Sequence, residues 1–251
     1  MAQKKHFKWF VLTLSIVLFL SLLYIVLIPD PSKLKKENPK KTALMEYRKK
    51  ASKEKGKVYR IYQSWVPFSK ISPYLIKAVL IAEDDKFWRH EGFDYEAIQK
   101  AIEKDLKAKK FKFGGSTITQ QLAKNLYLSP EKSMIRKIPE AFITWRIEKV
   151  LSKRRILELY LNIAEWGEGI FGAEAASRHY FGKPSSQLTP EEAARLASVL
   201  PNPKKYNPVG DQRYVTNRSN LIYSIMIQRG IVIPEYKEVA EGLNSSYPEG
   251  I

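Results

Sequence analysis

The chain has 251 residues, a hydrophobic fraction of 44% and a net charge of +17. That length holds one ordinary domain plus an anchor, with enough apolar residues for a packed core. The lack of Cys excludes disulfides and thiolate metal sites, and three scattered His residues (His6, His90, His179) without an H-E-x-x-H pattern argue against a His-based zinc site.

The first element is "WFVLTLSIVLFLSLLYIVLI", Trp9 to Ile28, which carries no charge over the roughly 20 residues that span a bilayer as a helix. Trp9 and Tyr24 stand near its ends, as interfacial aromatics do. A cleaved signal peptide would have a shorter apolar run ending in small residues. This run ends in "IPDPS", so an uncleaved anchor is predicted. Lys residues flank it on both sides, and charge alone does not orient it. Residues 29–58 read as a basic linker, either solvated or lying against anionic headgroups.

Helix signals then dominate. Ser72-Pro73 starts a helix through "PYLIKAVLIAED". Asp94 caps "YEAIQKAIEKDLKAKK". Gly114-Gly115 breaks the chain, and Thr117 with Gln120 forms a capping box for "ITQQLAKNLYL". Pro139 starts or kinks "EAFITWRIEKVL". Ser152 caps "KRRILELYLNIAEW", Thr189-Pro190 with Glu192 opens "TPEEAARLASVL", and "YVTNRSNLIYSIMIQRG" is the last helix. The one strand signal is "KVYRIYQSWVPF". These signals predict one mainly α domain over 59–251, preceded by residues 1–8, a transmembrane helix over 9–28 and the linker.

Three stretches carry chemistry. On a helical wheel Ile76, Val79, Leu80 and Glu83 share one arc, so Glu83 sits at the C-terminal end of an apolar face. Desolvation there raises a carboxylate's pKa toward the range a general base needs. The competing reading is a helix-end Glu paired with Lys86 or Arg89, and Asp84 and His90 could orient the loop. In "GGSTITQQLAKN" Thr117, Gln120, Gln121 and Lys124 share one arc and Ile118, Leu122 and Leu126 the opposite one. A Gly-Gly entry to a helix N-terminus offers N–H groups to an anion, although the P-loop spacing is absent. An amphipathic helix with a plain polar surface accounts for the same pattern. In "EKSMIRKIPEAFITWRIEK", Lys132, Arg136 and Glu140 recur every four residues, either a cationic site or a surface ion-pair ladder.

"EDDKFWRHEGFD", "GGSTITQQLAKN", "RKIPE" and "KRRILELYLN", in this order, resemble the peptidoglycan glycosyltransferase family, the module that also forms the polymerase half of bifunctional penicillin-binding proteins. "NIAEWGEGIFGAEAASRHYFGK" and "LTPEEAARLASVLPNPKKYNP" extend the likeness, which is greatest to the monofunctional, membrane-anchored branch. It covers about Val66 to Pro208. The resemblance implies a lysozyme-like fold with a small mobile subdomain, and polymerisation of lipid II at the outer face of the bacterial cytoplasmic membrane.

By the same resemblance Glu83 and Glu140 are the catalytic carboxylates. Lys86, Ser116, Thr117, Gln120, Gln121, Lys124, Asn125, Lys132 and Arg136 bind substrate. Lys stands at 86 and 132 where the family often has Arg, keeping the charge but losing the bidentate fork. A divalent cation such as Mg2+ or Mn2+ assists some members. The implied partners are lipid II, the growing lipid-linked glycan, the membrane and other cell-wall synthesis proteins, with no nucleic acid. Two rivals are a membrane-anchored glycan-cleaving enzyme and a non-enzymatic basic protein binding anionic lipid or nucleic acid. A transpeptidase is not expected, because no Lys-Thr-Gly follows a Ser-x-x-Lys.

Overall fold

The computed structural model describes residues 6, 9, 11–15, 29–108, 115–130 and 136–233. It is mainly helical and forms two compact units. One unit comprises Met1–Ala51 and Glu91–Leu157, the other Ser52–His90 and Glu158–Ile251. The chain therefore leaves the first unit at Ser52, builds part of the second, and returns at Glu91.

In chain order the helices are α1 (Ala43–Lys53), α2 (Pro73–Glu83), α3 (Tyr95–Ala108), α4 (Ile118–Tyr127), α5 (Lys137–Val150), α6 (Lys153–Ile163), α7 (Ala173–Phe181), α8 (Pro190–Val199) and α9 (Arg213–Gln228). The strands are β1 (Tyr62–Gln63), β2 (Glu165–Gly167) and β3 (Ile170–Phe171), in the order β1-β3-β2. β1 runs parallel to β3, with Tyr62 opposite Ile170, and β2 is antiparallel to β3.

The expected caps are present. The Ser72 side chain accepts from the Tyr74 N–H, with Pro73 opening α2. Asp94 accepts from Ala97 N at 2.9 Å. Thr117–Gln120 and Thr189–Glu192 are full capping boxes. Pro139 lies in the first turn of α5, which begins two residues earlier at Lys137. Its missing N–H would have no intrahelical partner there, so it neither starts nor kinks the helix.

Three sequence readings change. Residues 29–58 are more than a linker: Pro31–Lys35 form a 3-10 turn, α1 follows, and Leu34, Leu44 and Met45 are buried. The turn packs on α5, and Arg155 donates to the carbonyls of Leu34 (2.8 Å) and Glu37 (2.9 Å). Counted as charge the segment reads basic, but its few apolar residues are what bury. α7 and the β2–β3 hairpin have no counterpart in the expected elements. The hairpin is closed by Gly169 at φ +76°, where a Cβ would stand 2.3 Å from the Arg60 carbonyl oxygen. The single strand expected over 57–68 is only two residues long.

The core of the second unit is built where α2, α8 and α9 pack on one another. Leu75, Ala78 and Val79 of α2, Leu196 and Val199 of α8, and Val215 and Met226 of α9 are fully buried. Asn162 fixes the segment entering α2. It accepts from Val66 N at 2.9 Å and donates to Val66 O at 3.0 Å. In the first unit α4 packs on α5. Gly115 lies against α3, where a Cβ would meet Ile98 Cα at 3.1 Å.

Among the described residues no helix is long and apolar enough to cross a membrane. Most of the span predicted over 9–28 lies outside them; Trp9 and 11–15 are helical.

Candidate active site

In the second unit α2 ends at Glu83. Of its expected apolar arc Val79 and Leu80 are buried and Ile76 half-buried, and the Glu83 side chain is only 10% exposed. The three acids of "EDD" then part. Glu83 lies with Oε1 3.6 Å from the Arg218 guanidinium of α9. Asp84 caps the helix, and its Oδ1 lies 2.8 Å from His90 Nε2. Asp85 pairs in bidentate fashion with Arg229, whose second contact is 2.9 Å. Arg229 holds the Asp85 carboxyl below its ordinary 3.8, mainly through this hydrogen bond.

Phe87 is fully buried and edge-on to both Trp88 and His90. The motif is thus a helix end with each acid turned to a different use. Tyr160 of α6 is fully buried, and its hydroxyl is pushed well above 10, first by burial and then by the charges of Glu83 and Asp84. Burial therefore penalises charge on Glu83 while Arg218 favours it.

In the first unit Thr117 and Gln120 put their polar atoms into the α4 cap. Thr117 Oγ1 also donates to the Gly92 carbonyl at 2.7 Å. Gln120 and Asn125 are buried, whereas Gln121 and Lys124 are half-buried. The polar arc expected from the wheel is therefore divided, with Gln120 turned inward to hold the helix start.

Glu140, in the first turn of α5, is 1% exposed. Lys137 donates to its Oε1 and, at 3.2 Å, to Ser116 Oγ, tying α5 to the entry of α4. Arg136, at the N-cap of α5, donates to the Ser129 carbonyl at 2.7 Å and stands 4.0 Å from Glu140 Oε2. The four-residue stripe thus ends at the helix boundary. Lys132 and Gly114 lie outside the described residues. Lys86 is the N-cap of the short 3-10 turn Phe87–Arg89 in the second unit.

Sequence reasoning missed Lys137 and Arg218. Lys137 was visible in "RKIPE", three residues before Glu140. Arg218 carries no sequence signal, because 135 positions separate it from Glu83. Among the described residues no group of three or more His, Asp or Glu could hold a metal ion.

The described residues thus place a nearly buried carboxylate at a helix end in one unit and cations at a helix entry in the other. A family model described as transglycosylase matches residues 48–227. The chain belongs to this family, the peptidoglycan glycosyltransferases expected from its motifs, and is a glycosyltransferase enzyme. It is 48% identical over 194 residues to the biosynthetic peptidoglycan transglycosylase of Nitrosospira multiformis, covering 77% of this chain and 84% of that one. It is 57% identical over 169 residues to the protein of the same name from Azoarcus sp. strain BH72 (67% and 73% covered). To that of Laribacter hongkongensis it is 43% identical over 216 residues, 86% and 95% of the two chains.

Proposed function

We propose that the protein polymerises lipid II into β-1,4-linked glycan strands, with Glu83 as the general base. The 4-hydroxyl of an incoming lipid II attacks C1 of the growing chain's terminal sugar. Glu83 takes the hydroxyl proton, C1 inverts, and undecaprenyl diphosphate leaves. The observation that carries this reading is the placement of Glu83: a nearly buried carboxylate closing an apolar helix, beside a cation and a buried Tyr hydroxyl. General base catalysis needs such a held, partly desolvated group.

A diphosphate is a stable anion on departure and needs cations more than a proton. Lys124, Arg136 and Lys137 in the first unit suit that role, with Gln121 beside Lys124 for polar contact. Glu140, with Arg136 and Lys137 at its side, orders those cations. Lys86 and Lys132 add positive charge, Ser116, Thr117 and Gln120 shape the helix entry, and Asn125 lies buried in the last turn of α4.

The substrate's lipid tail places the work at a membrane, with the catalytic domain outside the cytoplasm. One surface of the first unit supports this. Ile138, Phe142 and Trp145 of α5 are exposed, and Phe93, Ala141, Phe142 and Trp145 line an apolar hollow of about 370 Å³. Such a patch favours apolar contact over solvent. The predicted anchor would hold enzyme and substrate on one surface.

The test is incubation of purified protein with lipid II, with products separated by size, beside a parallel incubation with finished, lipid-free strands. Long polymer from lipid II and intact strands are expected. Short saccharides or anhydro-sugar ends from the strands, with no polymer from lipid II, would establish a glycan-cleaving enzyme instead.

A further inference from the structure

We infer that Arg218 is a positioning residue for the reaction, clamping the C-terminal end of α2 and keeping the Glu83 carboxylate aimed and ionised. The inference rests on the reading of Glu83 as the base. One terminal nitrogen of Arg218 donates to the Ala82 carbonyl at 3.0 Å and lies 3.6 Å from Glu83 Oε1. The last carbonyls of a helix lack intrahelical partners, and the negative end of the helix dipole gathers there. Arg218 answers both with one group, delivered by a helix that already packs on α2.

The two contacts differ in kind. At 3.0 Å the Ala82 contact is a hydrogen bond to backbone, which fixes where the helix ends. At 3.6 Å the Glu83 contact is charge on charge. It stabilises the anion without tying Oε1 into a short hydrogen bond, which suits a group that must accept a proton. The buried Nε of Arg218 has no hydrogen-bond partner.

Several other charged groups near Glu83 have partners of their own. Asp84 is held by His90 and Asp85 by Arg229. Tyr160, from α6, is a neutral phenol held far above its ordinary range. On α8, Glu192 serves the cap and Lys183, Glu191 bonds with Tyr223, and Arg195 holds the Pro208 and Gly210 carbonyls. Arg218 is a cation delivered by a second helix within 3.6 Å of the Glu83 carboxylate.

The experiment measures kcat, KM and the pH profile of lipid II polymerisation by the full-length chain in detergent, for Arg218→Gln, Arg218→Lys, Glu83→Gln and the double variant Arg218→Gln/Glu83→Gln. Arg218→Gln should lower kcat roughly ten- to a hundredfold, the range for losing a contact to a charged group, with KM changed less than about twofold. The acid limb of its profile should move to higher pH, because the carboxylate loses the cation that favours its anion. Arg218→Lys keeps the charge, so its acid limb should stay in place while kcat falls severalfold with the lost geometry.

In the Glu83→Gln background Arg218→Gln should cost nothing further, because its effect acts through Glu83. An unmoved acid limb, or rate losses that simply multiply in the double variant, would overturn the inference. Should Arg218→Gln fail to fold, Arg218→Lys carries the test, and parental kcat in that variant overturns it. Near-parental turnover by folded Glu83→Gln would instead sink the reading of Glu83 as base, which separates the two failures.

Discussion

The two compact units solve different problems with helix termini. In the second unit a carboxylate sits at the C-terminal end of α2, where the dipole is unfavourable to it, and burial adds to the difficulty. Arg218 offsets both, and the core of α2, α8 and α9 holds the arrangement in place. In the first unit Arg136, Lys137 and Glu140 gather at the N-terminal turn of α5, and Thr117 and Gln120 at that of α4. That unit also leaves Ile138, Phe142 and Trp145 exposed. One unit sets a single carboxylate beside one guanidinium at a helix end; the other gathers several charged groups at helix entries and leaves an apolar surface exposed.

The sharpest break in that contrast is Glu83→Gln. It should lower turnover by on the order of a hundredfold or more, the size of general base catalysis. Its melting temperature should stay near the parental value, since Arg218 still bonds the Ala82 carbonyl. Single-turnover polymerisation and thermal unfolding measure the two sides, and full activity in a folded variant would end the contrast.

Next comes packing. Leu75→Ala, in the fully buried face of α2, should cost about 2–5 kcal/mol of stability. Phe142→Ser on the exposed face should cost under about 0.5 kcal/mol but weaken sedimentation with lipid vesicles. Denaturant unfolding and vesicle co-sedimentation decide it, and equal stability losses would mean the α5 face is core.

The distributed charge of the first unit predicts a milder response. Lys124→Ala and Arg136→Ala should each lower kcat/KM about ten- to a hundredfold, the range for contacts to charged groups, without abolishing turnover. Loss in either as deep as in Glu83→Gln would mean that the unit, too, depends on one group.

Truncation sharpens the boundary of that unit. A chain starting at Pro29 should keep its stability, polymerise lipid II in detergent and work poorly on vesicles. A chain starting at Thr42 also loses the Leu34 contact and the bonds to Arg155, and should be less stable by about 1.5–3 kcal/mol. Matching melting curves for the two chains would show that the turn at Pro31–Lys35 adds nothing.

The smallest effect concerns Arg229→Gln. Asp85 titrates below 3.8 in the folded chain because Arg229 stabilises its anion. That stability is fully present above 3.8 and is lost as the pH falls through the folded value. Both side chains are about half exposed, so the variant should lose under about 1 kcal/mol at neutral pH. The difference from the parent should vanish in acid. A difference that persisted there would assign the contact to packing rather than charge.

Much of this was legible in the sequence, for a physical reason. Caps at Ser72, Asp94, Thr117 and Thr189 act within three residues, and the apolar arc ending at Glu83 is a property of one helix, so local rules reach them. The ordered motifs carried the family and with it the enzyme class. What the sequence could not yield is pairing across the chain. Arg218 meets Glu83 over 135 positions, and Leu34 is buried because α5, a hundred positions on, covers it. β1 and β3 are two residues each, too short to show alternation, and they meet through long-range pairing, with Tyr62 N donating to the Gly169 carbonyl at 2.8 Å. The division of the arc on α4 had the same origin: Gln120 turns inward to its own cap, while Gln121 and Lys124 stay half-exposed. Local backbone preferences fix where helices start and stop; only packing decides which charge stands beside which carboxylate.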